Sequence, residues 1–297
     1  MTTTVTTAGA GTSPKPRPRR TKHNWYKIGT DAILYVVLSL IALGFIGPFL
    51  ILLSSALKPL TQDLFGFPPD LIPRPPTLDS FREAFRAVPL AKYMSNSVIY
   101  AVTIVPISAL VCLLAGYAFG ALRYPGRNIY FLLILGTMFL PAEVMLIPRY
   151  LVASDLGITN GYLGVILPSL LSAFGTLIMR QAFAGVPHEL REAARIDGAN
   201  EWQIFSRVML PIVRPSLAIV MIFGFVNVWN SFLWPLVVLN DESKYPIALG
   251  IAYLAGIGSS DERSLAAGSV ASIIPIVIVF LFLQRQIMDG MKGAVKG

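Results

Sequence analysis

The chain has 297 residues, 55% of them hydrophobic and only 13% charged, with a net charge of +8, and its mean hydropathy is +0.65. A soluble domain carries about 25% charged residues, so the composition excludes one and requires an integral membrane protein. The positive charge does not point to nucleic acid, because the basic residues follow the apolar segments along the chain and do not cluster with aromatics.

Residues 1–30 are a basic N-terminal extension, and Met1 to Pro18, rich in Thr, Gly and Pro, is expected to be a disordered tail. The first apolar segment, Ala32 to Leu57, exceeds the h-region of a signal peptide, about 7 to 15 residues, and reads as a retained span. Lys58 to Lys92, with PPDLIPRPP, reads as an extended, proline-rich external segment. Five further apolar segments follow: Tyr93 to Leu122, Ile129 to Pro148, Leu156 to Met179, Pro215 to Asn240 and Ser264 to Gln284. Each of the six can cross a hydrocarbon core, which needs about 20 helical residues.

Every one of these segments holds a proline: Pro48, Pro106, Pro141, Pro168, Pro235 and Pro275. A central proline costs about 3 kcal/mol in a soluble helix, but inside a bundle neighbouring helices re-satisfy the freed carbonyl. The expected fold is therefore all-α: six kinked, packed transmembrane helices over residues 31–285, with a loop at 187–212 and a C-terminal tail at 286–297. Sixteen of the 24 lysines and arginines fall in the N-terminal tail and the segments after the second, fourth and sixth spans. That bias places both termini, and the loop at 187–212, in the cytoplasm.

Little in the chain resembles catalytic chemistry. Cys112 is the only cysteine and lies mid-span, where it reads as packing. His23 and His188 lack metal-ligand spacing, no Ser, His and acid set converges, and a phosphate-binding G-x-x-x-x-G-K loop is impossible because Gly-Lys never occurs. Glu143, in LPAEVMLIP, is the one carboxylate within a span. It reads as a helix-end group, with a midplane gate or substrate contact as the alternative, and one such group is thin support for an ion relay. The first three spans do not repeat in the last three, which points to a pore completed by a second chain.

The polar stretch EAARIDGANEWQIFSRVMLP, Glu192 to Pro211, stands between two apolar spans. Pro187 suits a helix start, Glu189 and Glu192 suit its positive end, and Ala193 and Ala194 have the highest helix propensity. Gly198 interrupts, after which Trp202, Phe205 and Val208 or Met209 recur at helical spacing. Two short helices joined at a glycine are expected. A helix lying on the inner leaflet would favour lysines on its polar face, whereas this near-neutral, small-residue surface fits a protein groove.

Glu192-Ala193-Ala194, three residues, Gly198, nine residues, then Val208-Met209-Leu210-Pro211 resembles the E-A-A-x3-G-x9-I-x-L-P signature of ABC importer permeases, with valine for the usual isoleucine. The sequences R-I-D-G-A after Ala194, N-S-V-I-Y-A at Asn96 to Ala101, D-L-G-I-T-N at Asp155 to Asn160 and W-N-S-F-L-W-P-L at Trp229 to Leu236 are similar to the carbohydrate branch, of MalG type. The N-terminal extension is longer than that type leads one to expect, and no role is assigned to it.

The resemblance implies a permease subunit of an ATP-driven sugar importer in the cell membrane, surrounded by lipid and paired with a second, MalF-type permease, an ATPase dimer and an extracellular solute-binding protein. It implies that this chain binds no cofactor, ATP and Mg being used by the ATPase. It also implies that the polar stretch is a coupling helix in an ATPase cleft, carried by Glu192, Ala193, Ala194, Gly198, Trp202, Phe205, Leu210 and Pro211. The C-terminal tail either reaches the ATPase pair or ends in solvent. Polar or aromatic residues that could face a sugar are Asn227, Trp229, Asn230 and Ser231, with Trp234 beside them, and Glu143; interfacial anchoring explains the two tryptophans more simply, and interhelical hydrogen bonding the asparagines. The alternatives are a stand-alone secondary transporter or channel, and an importer of a polyol phosphate or another sugar-like solute.

Overall fold

The computed structural model describes residues 25–64, 66, 70–257 and 261–294, so the expected disordered tail, Met1 to Pro18, lies outside the described residues. The backbone divides into two units, Met1–Phe49 and Leu50–Gly297. The described part of the first is helical throughout and belongs to α1 (Trp25–Leu57). Its apolar side chains, Ile33 to Phe49, stand exposed, as expected of a surface meant for lipid or another subunit.

The second unit is all-helical among its described residues. After the end of α1 come α2 (Asp79–Ala87), α3 (Leu90–Gly120), α4 (Arg127–Gly136), α5 (Leu146–Asp155), α6 (Tyr162–Ile166), α7 (Ala173–Ala184), α8 (His188–Ile196), α9 (Glu201–Gln203), α10 (Leu210–Trp229), α11 (Leu233–Val238), α12 (Ile247–Ile257) and α13 (Glu262–Ala294). Among the described residues of the whole chain, five stretches are long and apolar enough to cross a membrane: Thr30–Leu57, Leu90–Gly120, Tyr162–Ala184, Glu201–Trp229 and Glu262–Phe282. Among them α3 is the most enclosed, 39% of its apolar window being buried, which makes it the helix on which the others pack.

The third expected span, Ile129 to Pro148, is not one continuous helix. α4 tightens into a 3-10 turn at Thr137–Phe139, and Leu140 then leaves the helix at φ −84°, ψ 122°. The cause is Pro141, whose ring forces the preceding residue out of the α region. Glu143 sits exposed in the turn that follows, before α5. Pro168 likewise lies in a 3-10 turn, Leu167–Ser169, and the chain restarts as α7 under a Ser172 cap whose Oγ accepts the Gly175 N–H.

The fifth span also differs from expectation. Pro211 does not end the polar stretch, because α9 runs through a π-helical turn, Ile204–Met209, directly into α10. A proline tolerated in the first turn of α10 needs no donor there, and the wider turn before it accommodates the change of register. Two helices fall where none was expected. α2 lies in the segment read as extended, and α12 is an apolar helix too short to span. The last helix continues to Ala294, past the Gln284 boundary assigned from sequence.

Three buried clusters hold the second unit together. One gathers Cys112, Leu113, Tyr117, Met179, Phe183, Ile204, Phe205 and Met209 from α3, α7 and the π turn. A second joins Leu90, Tyr93, Trp229, Ile247, Leu254 and Ala267, and a third Tyr100, Ile104, Val165, Trp234 and Val238. The approach of α3 to α7 depends on Gly116 and Gly120, one turn apart on one face. A Cβ on Gly116 would collide with the Met179 side chain, and one on Gly120 would lie 2.6 Å from the Arg180 carbonyl oxygen. Small residues at this spacing are how membrane helices come close enough to gain from van der Waals packing.

Gly116→Ala is therefore expected to lower stability by about 1–3 kcal/mol through overpacking. Gly44→Ala, where the new methyl meets nothing within 4 Å, is expected to be neutral or to stabilise by up to about 1 kcal/mol. Thermal unfolding of the purified variants in detergent checks the opposite signs.

Candidate functional site

Two features carry functional weight: the polar knob between α7 and α10, and a cavity lined by α3, α5, α7, α10 and α11. The knob is built by two successive local devices. α8 begins after Pro187 and closes with Gly198 at φ +81°. There the Ala199 N–H donates to Ala194 O at 2.9 Å and the Gly198 N–H to Arg195 O at 3.0 Å, the paired bonds of a Schellman C-cap, which favours glycine because only it enters the left-handed region without cost. Asn200 then opens α9 with a capping box: its side chain accepts the Gln203 N–H, and its own N–H donates to Gln203 Oε1, both at 2.9 Å. The expected pair of helices joined at a glycine is what these residues form.

A brace fixes this knob to the bundle. Arg191, a buried cation, donates to Glu201 Oε1 at 2.8 Å and to the Ala121 carbonyl at 2.6 Å. Tyr117 OH donates to the same carboxylate oxygen, and Arg195 reaches its other oxygen at 3.1 Å. One carboxylate thus joins α8, α9 and α3. None of Arg191, Glu201 and Tyr117 was among the residues picked from sequence; the available signal was that Arg191 and Glu201 are opposite charges within one stretch flanked by apolar spans.

The residues expected to meet a partner divide into outer and inner sets. Glu192 and Ala193 are exposed and Ala194 is half-buried, while Trp202 is 67% exposed and its neighbour Ile196 86%. Phe205 is not an outward anchor. It is buried, with its ring centroid 4.9 Å from Tyr117 and 5.3 Å from Trp202, so it supports Trp202 from beneath. Leu210 packs against the same cluster, and Pro211 is exposed in the first turn of α10.

The cavity has a volume of about 360 Å3. Of the residues picked as pathway-facing, Asn227 and Ser231 line it, and so do Trp234, Ser169 and Arg149. Trp229, Asn230 and Glu143 are not on its wall. Trp229 is 2% exposed, stacks on Phe225 and donates its indole N–H to the Ser272 carbonyl at 3.0 Å. Asn230 Nδ2 donates to Val226 O at 2.9 Å, and Glu143 stays in the exposed turn before α5.

At the end of α3 away from the knob, the sequences that carried the resemblance form a clamp. Asn96 Nδ2 donates to the carbonyls of Ser243 and Tyr245 at 2.8 and 2.9 Å, and its Oδ1 accepts the Tyr162 hydroxyl at 2.9 Å. Asn160, held at φ +56°, accepts the Asn240 and Asp241 N–H groups on its Oδ1 at 3.0 and 2.9 Å. Hydrogen bonds from Ser243, and then from Lys244, hold the Asp241 carboxyl below the usual carboxylate range. Trp234 closes the clamp by donating to Gly164 O at 3.0 Å.

Removing the brace's acceptor should cost more than removing one of its donors. Glu201→Ala, which leaves Arg191 enclosed without a counter-charge, is expected to destabilise the protein by about 2–3 kcal/mol, and Tyr117→Phe by about 1 kcal/mol. Unfolding midpoints of the two variants measured in the same detergent check the ranking.

Comparison with known proteins agrees with this architecture. The sequence pattern of the family described as binding-protein-dependent transport system inner membrane component matches residues 84–292. The chain is 38% identical over 253 residues to the arabinooligosaccharides transport system permease protein AraQ of Halalkalibacterium halodurans, covering 84% of this chain and 91% of that one. It is 32% identical over 266 residues to the lactose transport system permease protein LacG of Rhizobium radiobacter, covering 90% and 96%. Its backbone resembles, with a TM-score of 0.74 and 26% identity over 89% of this chain and 98% of the other, a chain of a bacterial ABC transporter involved in the import of the acidic polysaccharide alginate. By sequence pattern and by backbone, the chain belongs to the inner-membrane permease family of binding-protein-dependent ABC importers.

Proposed function

We propose that this chain forms half of the pathway by which an ATP-driven importer moves a sugar across the membrane, and that the knob at 187–212 is the helix through which a separate ATPase drives it. The observation that carries the coupling role is a contrast within the knob. It is braced internally by Glu201, yet Ile196 and Trp202 face outward. Large apolar side chains are exposed at such a density mainly where another protein covers them. The sugar assignment draws support from the relatives named for arabinooligosaccharides and lactose, and from hydrogen-bonding groups such as Asn227 and Ser231 on the cavity wall.

In this reading a second permease completes the pore, an ATPase dimer uses ATP and Mg, and a solute-binding protein delivers the sugar. This chain is itself non-catalytic. Both termini and the knob lie in the cytoplasm, following the distribution of lysine and arginine. Glu192 offers a charge to a basic residue of the ATPase cleft, and Ala193 lets the backbone of α8 approach that cleft closely. A stand-alone transporter driven by an ion gradient finds no support in the cavity, on whose wall no Asp or Glu stands among the described residues.

Docking is tested at side chains exposed on the knob. Ala193→Arg is expected to leave the subunit inserted and its unfolding midpoint unchanged, and Trp202→Asp, which also gives up the Phe205 contact, to leave it inserted, while in both co-purification of the ATPase and solute uptake fall by about tenfold or more; retained uptake overturns the coupling role. Orientation has its own test. Cys112 is buried, so Trp202→Cys provides a single reactive thiol, expected to react with a membrane-impermeant maleimide in inside-out vesicles and not in intact cells.

A further inference from the structure

The cavity wall carries one ionised side chain, and nothing on the wall balances it. Among the described residues, Arg149 is the only Asp, Glu, Lys or Arg lining the space. No carboxylate of the described residues pairs with it. Its Nη2 donates to Ser169 Oγ at 3.2 Å, its Cζ lies 4.1 Å from the Trp234 ring centroid, and its Nε is buried without a hydrogen-bond partner. Arg191 and Arg263, similarly enclosed, each have a carboxylate, on Glu201 and Asp261.

Stacking on an indole stabilises a guanidinium by about 0.5–2 kcal/mol, well short of the several kcal/mol that removing its charge from water costs. Trp234 and Ser169 thus hold the guanidinium in a fixed orientation, with its charge uncompensated on the wall of a space of about 360 Å3, within the range of about 300–1,000 Å3 usual for small-molecule sites. A planar fork held in this way matches carboxylate or phosphate.

We propose that Arg149 is an anion-binding residue of the cavity, and that the solute this chain passes is a sugar bearing a carboxylate or a phosphate. The proposal rests on the sugar-pathway reading and narrows it. The charged group meets the guanidinium, and hydroxyl groups are left to Ser231 and Asn227 on the same wall. Trp234 is a positioning residue, since it acts through Arg149.

The test uses the assembled transporter, with its partner permease and ATPases, in lipid nanodiscs, and three labelled probes in equilibrium binding: trigalacturonate, maltotriose and glucose 6-phosphate. The intact assembly is expected to bind one of the charged probes at least about tenfold more tightly than maltotriose, and which of the two it prefers identifies the anion's chemistry. Arg149→Met should abolish that preference by weakening the charged probe more than maltotriose, and Arg149→Lys should retain it in part. Three results overturn the proposal. Equal binding of neutral and charged probes, as when a carboxylate of the second permease neutralises Arg149, removes the anion site and leaves the sugar pathway standing. A preference that persists in Arg149→Met assigns anion selection elsewhere. Failure to bind any of the three removes the sugar pathway and this site together.

Discussion

The ion pair between Arg191 and Glu201 is the constraint on which the functional half of this structure depends. Without it α8, which turns at a glycine, would be tied to the bundle mainly by the apolar packing of Ala194 and Ala199 and by its connection to α9. With it, the carboxylate of Glu201 is shared among Arg191, Arg195 and Tyr117, and Arg191 is also anchored to the carbonyl of Ala121. Tyr117 belongs to α3, the most enclosed of the long helices. A push on α8 is therefore passed to α3 through groups that are hydrogen-bonded and partly withdrawn from water, where such bonds are stiffer than at an exposed surface. The aromatic contacts from Trp202 through Phe205 to Tyr117 run in parallel with it.

The far end of α3 is held by a different device. Asn96, Ser97 and Tyr100 sit within about two turns of α3 and bond to the backbone of residues 243–247. Three buried polar side chains in one apolar helix would each cost about 1–3 kcal/mol if left unpaired, so they fix the loop before α12 in one register or not at all. Movement of α3 thus carries that loop with it, and with the loop the Asn160 turn, to which Lys244 Nζ donates at 2.7 Å. Both ends of the bundle are thus tied to one helix.

Much of this was legible in the sequence, and for a stated reason. Membrane spans announce themselves by the absence of charge, and the two-helix knob by Pro187, Ala193, Ala194 and Gly198, whose local preferences all agree with what they form. What stayed hidden needed information from distant residues. α2 was read as an extended segment because the prolines before it dominate the composition, although Asp79 to Ala87 has a helical face once Ser80 and Ala84 have something to pack against. α12 is too short to register as a span. Phe205 and Trp202 look equivalent by spacing, and only the position of Tyr117 decides which ring faces inward. Trp229 and Trp234 were likewise indistinguishable until one was buried against Phe225 and the other placed beside Arg149.

The prolines explain why the cavity lies where it does. Pro48, Pro106 and Pro275 are absorbed within continuous helices, whereas Pro141 and Pro168 interrupt theirs, and the chain breaks again between Trp229 and Leu233. Two of these three interruptions border the cavity, through Pro168, Ser169, Leu171 and Ser172 on one side and Ser231 on the other. Irregular backbone at membrane depth is tolerated where it is covered by protein or lines a polar space, and the freed groups here are satisfied locally. Ser169 Oγ donates to Val165 O at 2.8 Å, and Thr176 Oγ1 donates to Ser172 O at 2.9 Å. Continuous helices would present only side chains to a solute. Helices broken at these points bring Ser169, Ser231 and Arg149 onto the wall of one space, an arrangement that unbroken apolar helices would not give.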